Sequence, residues 1–513
     1  MKHGVDRERA DVQHGAMVPA KLHPVKPAQP WGMAWAVAIA LLLARIAYVV
    51  WLMPYGLGPD EAQYWHWTSH MDWSYLSKPP LTTTAIWLST AVFGDTLLGV
   101  KLFALISQSA VALLGFGMAG LIGGTTVAWA AFALFSTLPL VAGGGLLMSP
   151  DALLLPLWMG ALFIIMRTLP SNTPVWGPWL LVGLLVGLAG LAKYTAVLCV
   201  PLVGLFVLLE RPRWLLHPQP YAAALLALAL QTPVVYWNLT HGMDGLTHVL
   251  WQTDGGGDTR HGGLATLADF MGGQALVLGP FTLLALIVVW GYKTYNYKTI
   301  SPYLKLILIA TLPLFAAFAA QTLQAKVQPN WPLLGTVPAM VLLAVALGRL
   351  PRWGMVALGL MLATNTALSL ALHDTRLLAA VGIALPHKND PTKDLQGWND
   401  MGQLVGLQLA RLDNPVLLTS RYQTTAQLAF HTTGQPLTLY MNDGTRRPVQ
   451  YDLWPWPALD NRLVVYVNEA PTLPAAVKAR FGQCEPWTPL EVERGGTVLR
   501  HLNTWLCWTT TQA

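Results

Sequence analysis

Long apolar stretches are the feature that most constrains how this chain can fold. A helix needs roughly 20 predominantly apolar residues to cross the hydrocarbon core of a bilayer. About eleven such stretches follow one another, centred near residues 42, 111, 134, 160, 183, 202, 228, 281, 311, 340 and 363. Only 11% of the 513 residues are charged, whereas soluble domains carry about 25%. The sequence therefore predicts a polytopic α-helical membrane protein with about 11 transmembrane helices.

Charge placement predicts the topology. Residues 1–30 are polar and rich in proline. They lack an apolar core that ends in a small-residue cleavage site, so we expect a disordered cytoplasmic tail. The basic turns "RPRW", "GYKTYNYK" and "GRLPRWG" are predicted to be cytoplasmic by the positive-inside rule. The membrane domain, 31–373, then presents the loops 54–100 and 238–270 on the outer side. The net charge of +6 is explained by this topology, and no nucleic-acid partner is expected.

Residues 374–513 return to a soluble composition and are predicted to form an outer (periplasmic) α/β domain. The segments "PVLLTS", "LTLYMN" and "RLVVYVN" are typical of strands, while "YQTTAQLAFHTT" and "LPAAVKARFG" are typical of helices. Cys484 and Cys507 both fall in this domain. On an oxidising side of a membrane, such a pair favours a disulfide over a metal site, although two thiols alone do not decide between them.

Two adjacent acids, Asp60 and Glu61, follow the first span within "GPDEAQYW". A carboxylate at the membrane interface is costly unless it is used or paired. Successive helical residues point about 100 degrees apart, so the two carboxylates cannot share one task on a helix. One acid is expected to face a pocket while the other caps or pairs, and the alternative is an exposed pair of loop acids.

Other polar and aromatic residues return to the same membrane edge from distant parts of the chain. Lys78 precedes two prolines in "SKPP", where it either binds a phosphate or extends to the interface as lysines commonly do. Such a convergence is what a site for an anionic lipid headgroup requires. The further candidates are Tyr64, Tyr75, Asp151, Lys193, Lys326, Asn330 and Trp331.

The stretch 238–270 is long and rich in glycine, which favours a lid or a substrate-gated loop over a tight turn. His248, Trp251 and Arg260 are its candidate contacts, and the alternative is a flexible connector. The histidines do not have the spacing of metal ligands. We therefore expect neither a metal nor another cofactor.

The order and spacing of several motifs resemble membrane glycosyltransferases of the GT-C fold. These motifs are "GPDEAQYW", "SKPP", "SPDALL", "GLAKYTAVLCVPL" and "AKVQPNWP", and the resemblance extends over about residues 35–345. The most similar patterns are those of bacterial proteins related to protein O-mannosyltransferases and to the aminoarabinose transferase of lipid A. The resemblance implies transfer of a sugar from a polyprenyl-phosphate carrier to an acceptor on the outer face of a bacterial inner membrane, with inversion.

The resemblance also implies roles for individual residues. Asp60 matches the catalytic acid, and Glu61 matches the adjacent acid of the mannosyltransferase motif. Lys78 matches a lysine that contacts the carrier phosphate, although Ser77 stands where the aminoarabinose enzyme has a glutamate. Lys326 falls in a segment that approaches the phosphate, and Lys193 is a further candidate for phosphate binding.

The chemistry of these residue types agrees with a transferase. A lipid phosphate is already a good leaving group, so the protein must neutralise phosphate charge and deprotonate or orient an acceptor hydroxyl. No nucleotide-phosphate loop is present, which favours a lipid-carried donor over a nucleotide sugar. The alternative is a transporter or flippase of a lipid-linked substrate, which should instead have polar groups near the middle of the membrane. The sequence leaves open which sugar is moved and whether a lipid, a glycan or a protein accepts it.

Overall fold

The computed structural model describes residues 31–253, 262–383, 385–459 and 462–508. The predicted tail 1–30 and Arg260 lie outside the described residues. Up to residue 380 the described chain is helical, and short turns connect most of the helices. These helices are α1 Trp31–Ala47, α2 Pro59–His66, α3 Leu81–Phe93, α4 Leu97–Thr137, α5 Pro139–Ala142, α6 Pro150–Thr168, α7 Trp176–Ala192, α8 Cys199–Glu210, α9 Pro218–Ala229, α10 Thr232–Thr240, α11 Asp244–Thr253, α12 Leu264–Leu278, α13 Pro280–Tyr295, α14 Pro302–Gln321, α15 Leu333–Thr336, α16 Met340–Leu347, α17 Pro351–His373 and α18 Arg376–Ala380.

Six helical segments within the described residues are long and apolar enough to cross a membrane, and α12 with α13 makes a seventh if this bent pair is one span. The polytopic helical class is thereby confirmed. Every centre predicted from the apolar pattern falls inside a helix. Several of these helices, such as α7 and α16, are shorter than a full span, so the number eleven remains a prediction.

The helix α4 is a hairpin of two antiparallel helices, which accounts for the two spans predicted near residues 111 and 134. Gly124 breaks the helix with φ 77° and ψ −167°, a backbone conformation that glycine adopts without steric cost. In a straight helix, the rings of Phe116 and Phe132 would be about 24 Å apart at 1.5 Å per residue. Their centroids are 6.5 Å apart, because the chain turns back on itself.

The segment 238–270 contains more regular structure than the sequence suggested. Its described residues include the end of α10, the helix α11 and the start of α12, and its role as a lid or substrate-gated loop stays a prediction. One more bend occurs at Gly279, where φ is 84° and the axes of α12 and α13 differ by 108°.

The soluble domain is a mixed sheet with helices beside it. Its helices are α19 Trp398–Leu409, α20 Tyr422–His431 and α21 Ala475–Phe481, and its strands are β1 Val416–Thr419, β2 Thr438–Tyr440, β3 Leu463–Asn468, β4 Gln483–Pro486, β5 Leu490–Arg494 and β6 Thr497–Trp508. The strand order is β2-β1-β3-β6-β4, and β5 also pairs with β6. Strand β1 runs parallel to β2 and β3, whereas β6 is antiparallel to its neighbours.

Cys484 on β4 and Cys507 on β6 are directly opposite each other in the sheet and form a disulfide bond. The structure thus answers a question that the sequence left open. All five segments that the sequence assigned to strands or helices of this domain are also found as predicted.

The soluble domain packs directly on the short helix α2. Ala426, Ala429 and Phe430 of α20 share a buried apolar cluster with Leu57 and Ala62. Polar contacts close the same interface, since the Leu57 amide donates to His431 Nε2 at 3.3 Å and Gln427 Nε2 donates to the Leu57 carbonyl at 2.8 Å. The segment that carries the acidic pair is therefore held between the membrane helices and the soluble domain.

Candidate active site

Helix α2 begins at Pro59, a residue that is well suited to a first helical position because its fixed φ matches the helix and its missing N–H has no partner there. The Glu61 carboxylate accepts from the Gly58 amide at 2.7 Å and so satisfies one of the free amides at this end. Asp60 is the residue before Glu61, and its side chain points in a different direction. Its side chain is open to a large cavity, while Glu61 is 2% exposed. The two acids diverge as the 100 degree rotation predicts.

Glu61 is the centre of a buried polar network. Lys101 Nζ on α4 donates to both Glu61 oxygens at 2.8 and 2.7 Å, and also to the Leu146 carbonyl at 3.0 Å. The Met148 amide donates to Glu61 Oε1 at 2.6 Å. This network ties α2 to the segment that leads into α6. It fixes the two chain segments that carry Asp60 and Asp151.

Asp151, in the first turn of α6, is held by two donors. Lys193 Nζ donates to Oδ1 at 2.6 Å, and Asn330 Nδ2 donates to Oδ2 at 2.6 Å. The three residues come from α6, the end of α7 and the segment before α15. Their contacts join chain segments that are far apart in sequence at one edge of the helical bundle.

These elements enclose a cavity of about 720 Å³. Nine of the residues proposed from the sequence line it: Asp60, Tyr64, Lys78, Asp151, Lys193, Trp251, Lys326, Asn330 and Trp331. Ser77, Ser149, Tyr194, Gln252 and Gln328 complete much of its polar surface. The predicted convergence of loops on one site is thus seen in the structure, and the roles of the individual residues remain proposals.

Two ionisable groups that line this cavity, Asp60 and Lys78, form no ion pair within the described residues, and their surroundings shift the pKa of both. Desolvation raises the pKa of Asp60 above its usual 3.8, and the charge of Lys78 partly offsets this rise. Desolvation likewise lowers the pKa of Lys78 below its usual 10.5, although Asp60 opposes this effect and Lys193 adds to it. Both shifts disfavour the charged forms of these two groups. Perturbed pairs of this kind in a cleft are typical of functional sites.

A smaller cavity of about 300 Å³ adjoins the large one. Asp60, Ser149, Asp151 and Asn330 line both cavities. The smaller cavity extends from there between the helices, against α4 and the segment 144–148, and Glu61 lies on its wall. The larger cavity is the outer cavity and the smaller one is the inner cavity, and Asp60 lies at the boundary between them.

Two of the sequence-proposed residues that the structure describes lie outside both cavities. The ring of Tyr75 is fully buried and stacks on Trp67 with centroids 4.5 Å apart, and its hydroxyl accepts from the Asp72 amide at 3.3 Å. Tyr75 therefore supports the segment before Lys78. His248 lies 5.7 Å from the Trp251 ring at the rim, where burial lowers its pKa to about 4, with Lys78 and Arg447 adding to the shift.

Sequence reasoning did not identify two residues beside the acids. The sequence did indicate that Lys101 has a partner, because a lysine within an apolar helix is expected to be paired. Tyr422 begins α20 of the soluble domain, and burial together with the charge of Asp60 raises its pKa. Nothing in the sequence near Tyr422 indicates that it approaches an acid more than 350 residues away. The soluble domain makes a further contact with the membrane helices near Tyr422, where Arg447 lies 4.3 Å from the centroid of the Trp251 ring.

Within the described residues, no group of three or more His, Cys, Asp or Glu side chains converges where a metal ion could bind. Ser77, which lines the outer cavity, provides a hydroxyl and no carboxylate. The chemistry that the described site offers is therefore that of one uncompensated acid, three lysines and several aromatic rings around a cavity.

A helical membrane bundle whose loops build such a cavity is the arrangement expected from the GT-C resemblance. Comparisons with known proteins confirm that resemblance. The family model of dolichyl-phosphate-mannose-protein mannosyltransferases matches residues 77–237. The lipid A galacturonosyltransferase RgtD of Rhizobium johnstonii is 26% identical over 287 residues, which cover 55% of this chain and 59% of that relative.

Two crystal structures of ArnT from Cupriavidus metallidurans superpose over most of the chain. The apo structure matches with a TM-score of 0.61 and 14% identity, covering 92% of this chain and 98% of ArnT. The structure bound to undecaprenyl phosphate matches with a TM-score of 0.61 and 16% identity, covering 92% and 97% of the two chains. At this level of identity, the likeness establishes the fold.

Proposed function

We propose that this protein is a membrane glycosyltransferase that moves a sugar from a polyprenyl-phosphate carrier to an acceptor at the outer face of a bacterial inner membrane, with inversion at the anomeric carbon. The observation that carries the proposal is the outer cavity, which Asp60 and Lys78 both line without an ion pair among the described residues and where the charge of each acts on the other. On this proposal, residues 1–30 are cytoplasmic, 31–373 form the catalytic membrane domain, and 374–513 form a periplasmic domain.

The charges of the outer cavity suit a lipid phosphate. Three lysines and two aspartates line it, which leaves one net positive charge for the single negative charge of a sugar phosphodiester. Lys193 is already engaged by Asp151 at 2.6 Å. Lys78 is therefore the main phosphate ligand, and Lys326 lines the same cavity. An anion beside Lys78 would restore the charged form that burial disfavours.

Asp60 is the proposed general base. An acceptor hydroxyl transfers its proton to the Asp60 carboxylate as its oxygen forms a bond to the anomeric carbon. The bond between that carbon and the phosphate oxygen breaks, and the carrier phosphate leaves with the electron pair and one further negative charge. Lys78 and Lys326 stabilise this developing charge, which is an interaction that strengthens in the transition state.

The remaining proposed residues position the substrates. Asp151 is held by Lys193 and Asn330 and so orders the wall next to Asp60. Tyr64, Trp251 and Trp331 line the outer cavity, where aromatic rings suit the apolar faces of sugars and prenyl chains. His248 supports Trp251 at the rim.

The comparisons support the class of reaction and leave the substrates open. RgtD is described as a lipid A galacturonosyltransferase, and one ArnT structure contains undecaprenyl phosphate. We propose by analogy that the carrier here is a polyprenyl phosphate, and that the acceptor is a lipid, a glycan or a protein. A comparison of lipids and glycans between a deletion strain and its parent would identify the product.

Asp60→Asn tests the proposal. This change keeps the shape of the side chain but removes the base, so transfer of a radiolabelled sugar from the lipid carrier should fall by about a hundredfold or more. Asp400→Asn is a matched control, because Asp400 forms a half-exposed ion pair with Arg494 in the soluble domain and should leave transfer unchanged. Near-normal transfer by Asp60→Asn would contradict the role of Asp60, and Asp151 would become the next candidate for the base.

A further inference from the structure

The inner cavity contains a buried amide whose hydrogen-bonding groups are not used. Gln108 on α4 is 2% exposed and lies on the wall of this cavity. Neither its Nε2 nor its Oε1 has a hydrogen-bond partner among the described residues. Leaving a buried polar group unpaired costs about 1–3 kcal/mol. A side chain kept for packing alone would be apolar, so the amide points to a ligand.

The charges around the inner cavity restrict what that ligand can be. Glu61 is paired with Lys101, and Asp151 is paired with Lys193. Of the described ionisable groups that line the inner cavity, Asp60 alone is left without an ion pair. An anionic group would face this carboxylate without a free cation, so a phosphate is disfavoured there. A hydrocarbon chain would leave the Gln108 amide unpaired, so the ligand must carry hydrogen-bonding groups and no negative charge at this point.

The size of the inner cavity restricts the ligand further. About 300 Å³ is at the lower end of the range of small-molecule sites, and it suits one monosaccharide unit. The lysines proposed for the phosphate lie on the outer cavity, across Asp60. A sugar bonded to that phosphate can extend past Asp60 toward Gln108, with its anomeric carbon close to the boundary.

We infer that the inner cavity is the donor-sugar subsite, and that Gln108 binds a ring hydroxyl of the transferred pyranose; this inference rests on the proposed function. Gln108 is then a determinant of donor specificity. Gly145 leaves room for the amide, because a Cβ at residue 145 would lie 2.5 Å from Gln108 Cγ and 2.7 Å from Nε2. A side chain at Gly145 would displace the amide from the cavity wall.

Binding of two probes by the purified protein in nanodiscs tests the inference without an acceptor. The first probe is undecaprenyl phosphate, and the second is the same carrier bearing a hexose or an aminopentose. The wild-type protein should bind its sugar-bearing carrier more tightly than the sugar-free one. Gln108→Met, which keeps an unbranched chain, should reduce that preference by about tenfold, which is the contribution of one or two hydrogen bonds. Affinity for the sugar-free carrier should stay the same.

Stability and a control variant separate this role from a structural one. Gln108→Met should unfold at the same or a higher temperature than the wild type, because an unpaired amide is lost. Gln231 is the matched control, since its amide donates to the Gly187 and Ala227 carbonyls at 2.8 and 3.1 Å. Gln231→Met should lower thermal stability and leave the preference for sugar unchanged. Gly145→Ala should weaken the preference for sugar as Gln108→Met does.

The outcomes distinguish this inference from the proposed function. An unchanged preference for sugar in Gln108→Met would overturn the inference, and so would an equal loss of affinity for both probes. Failure of the wild-type protein to bind any polyprenyl phosphate would overturn the proposed function together with the inference. Wild-type binding with the predicted loss in Gln108→Met would support both.

Discussion

Replacing Lys101 with methionine removes a buried cation while keeping an unbranched side chain of similar length. Lys101 is fully buried, and its ammonium contacts both oxygens of Glu61. Without this cation, Glu61 would be a buried and uncompensated charge. Breaking a buried pair from one side costs about 3–5 kcal/mol. Glu61 would keep its bonds from the Gly58 and Met148 amides, so we expect Lys101→Met to destabilise the protein by about 3 kcal/mol.

A double-mutant cycle measures whether the pair acts as a unit. Glu61→Gln alone leaves Lys101 without a carboxylate and should also destabilise the protein. The double variant removes both charges, so its loss should be smaller than the sum of the single losses by more than about 1 kcal/mol. Thermal unfolding in detergent, monitored by intrinsic fluorescence, measures each change. Additive losses, or a loss below about 0.5 kcal/mol for Lys101→Met, would refute the reasoning.

Lys293→Met is a control for the change of residue type. Lys293 on α13 is 1% exposed and lies beside the Tyr292 ring at 5.5 Å, while no described carboxylate pairs with it. Its loss strands no acid, so this variant should keep or exceed the stability of the wild type. Transfer activity gives a second measure of the role of the pair. If the pair positions Asp60, Lys101→Met should lower kcat for sugar transfer by a larger factor than it weakens donor binding.

Three more predictions follow from the outer cavity and the topology. Because the pKa of Asp60 is raised, the acid limb of kcat/KM for transfer should lie above pH 3.8, with activity lost as falling pH protonates Asp60; a limb at or below that pH in a pH–rate profile would contradict this. Lys78→Ala and Lys78→Gln should both raise the donor KM, since the positive charge is the proposed contribution, and unchanged donor titrations for both variants would leave Lys78 with an interfacial role only. Single cysteines in 54–100 and 374–508 should react with a membrane-impermeant reagent in intact cells, whereas labelling at Arg213 instead would invert the topology.

Local sequence patterns predicted local structure well. The apolar periods placed every proposed span centre in a helix, and β-branched runs placed β1 and β3. The strands β4 to β6 were not predicted, since β4 contains the polar and proline-containing sequence "QCEP". Strand β6 forms through pairing with β3, β4 and β5. Such long-range pairing is not encoded in a short window of sequence.

The candidate site was predictable where its residues follow a span and were missed where they come from tertiary packing. Four of the site residues lie at or near the ends of apolar segments, which all meet the same edge of the membrane. The sequence therefore predicted that they lie close together: Asp60, Lys78, Asp151 and Lys326. Tyr75 has the same location, yet its side chain turns into a core against Trp67. The position of a residue relative to the end of a span predicts how deep in the membrane the residue lies. The direction of its side chain depends instead on the residues that pack around it.

The packing of α20 on α2 has a consequence for how the protein can be divided or recombined. A Cβ at Gly56 would lie 2.6 Å from the His431 ring, so the two parts meet too closely for an ordinary side chain. The covalent boundary near residue 374 is therefore not a boundary of cooperative folding. A chimaera that exchanges the soluble domain with that of a relative would also need to exchange residues 56–66. Truncation before residue 374 would expose the apolar back of the helix that carries Asp60.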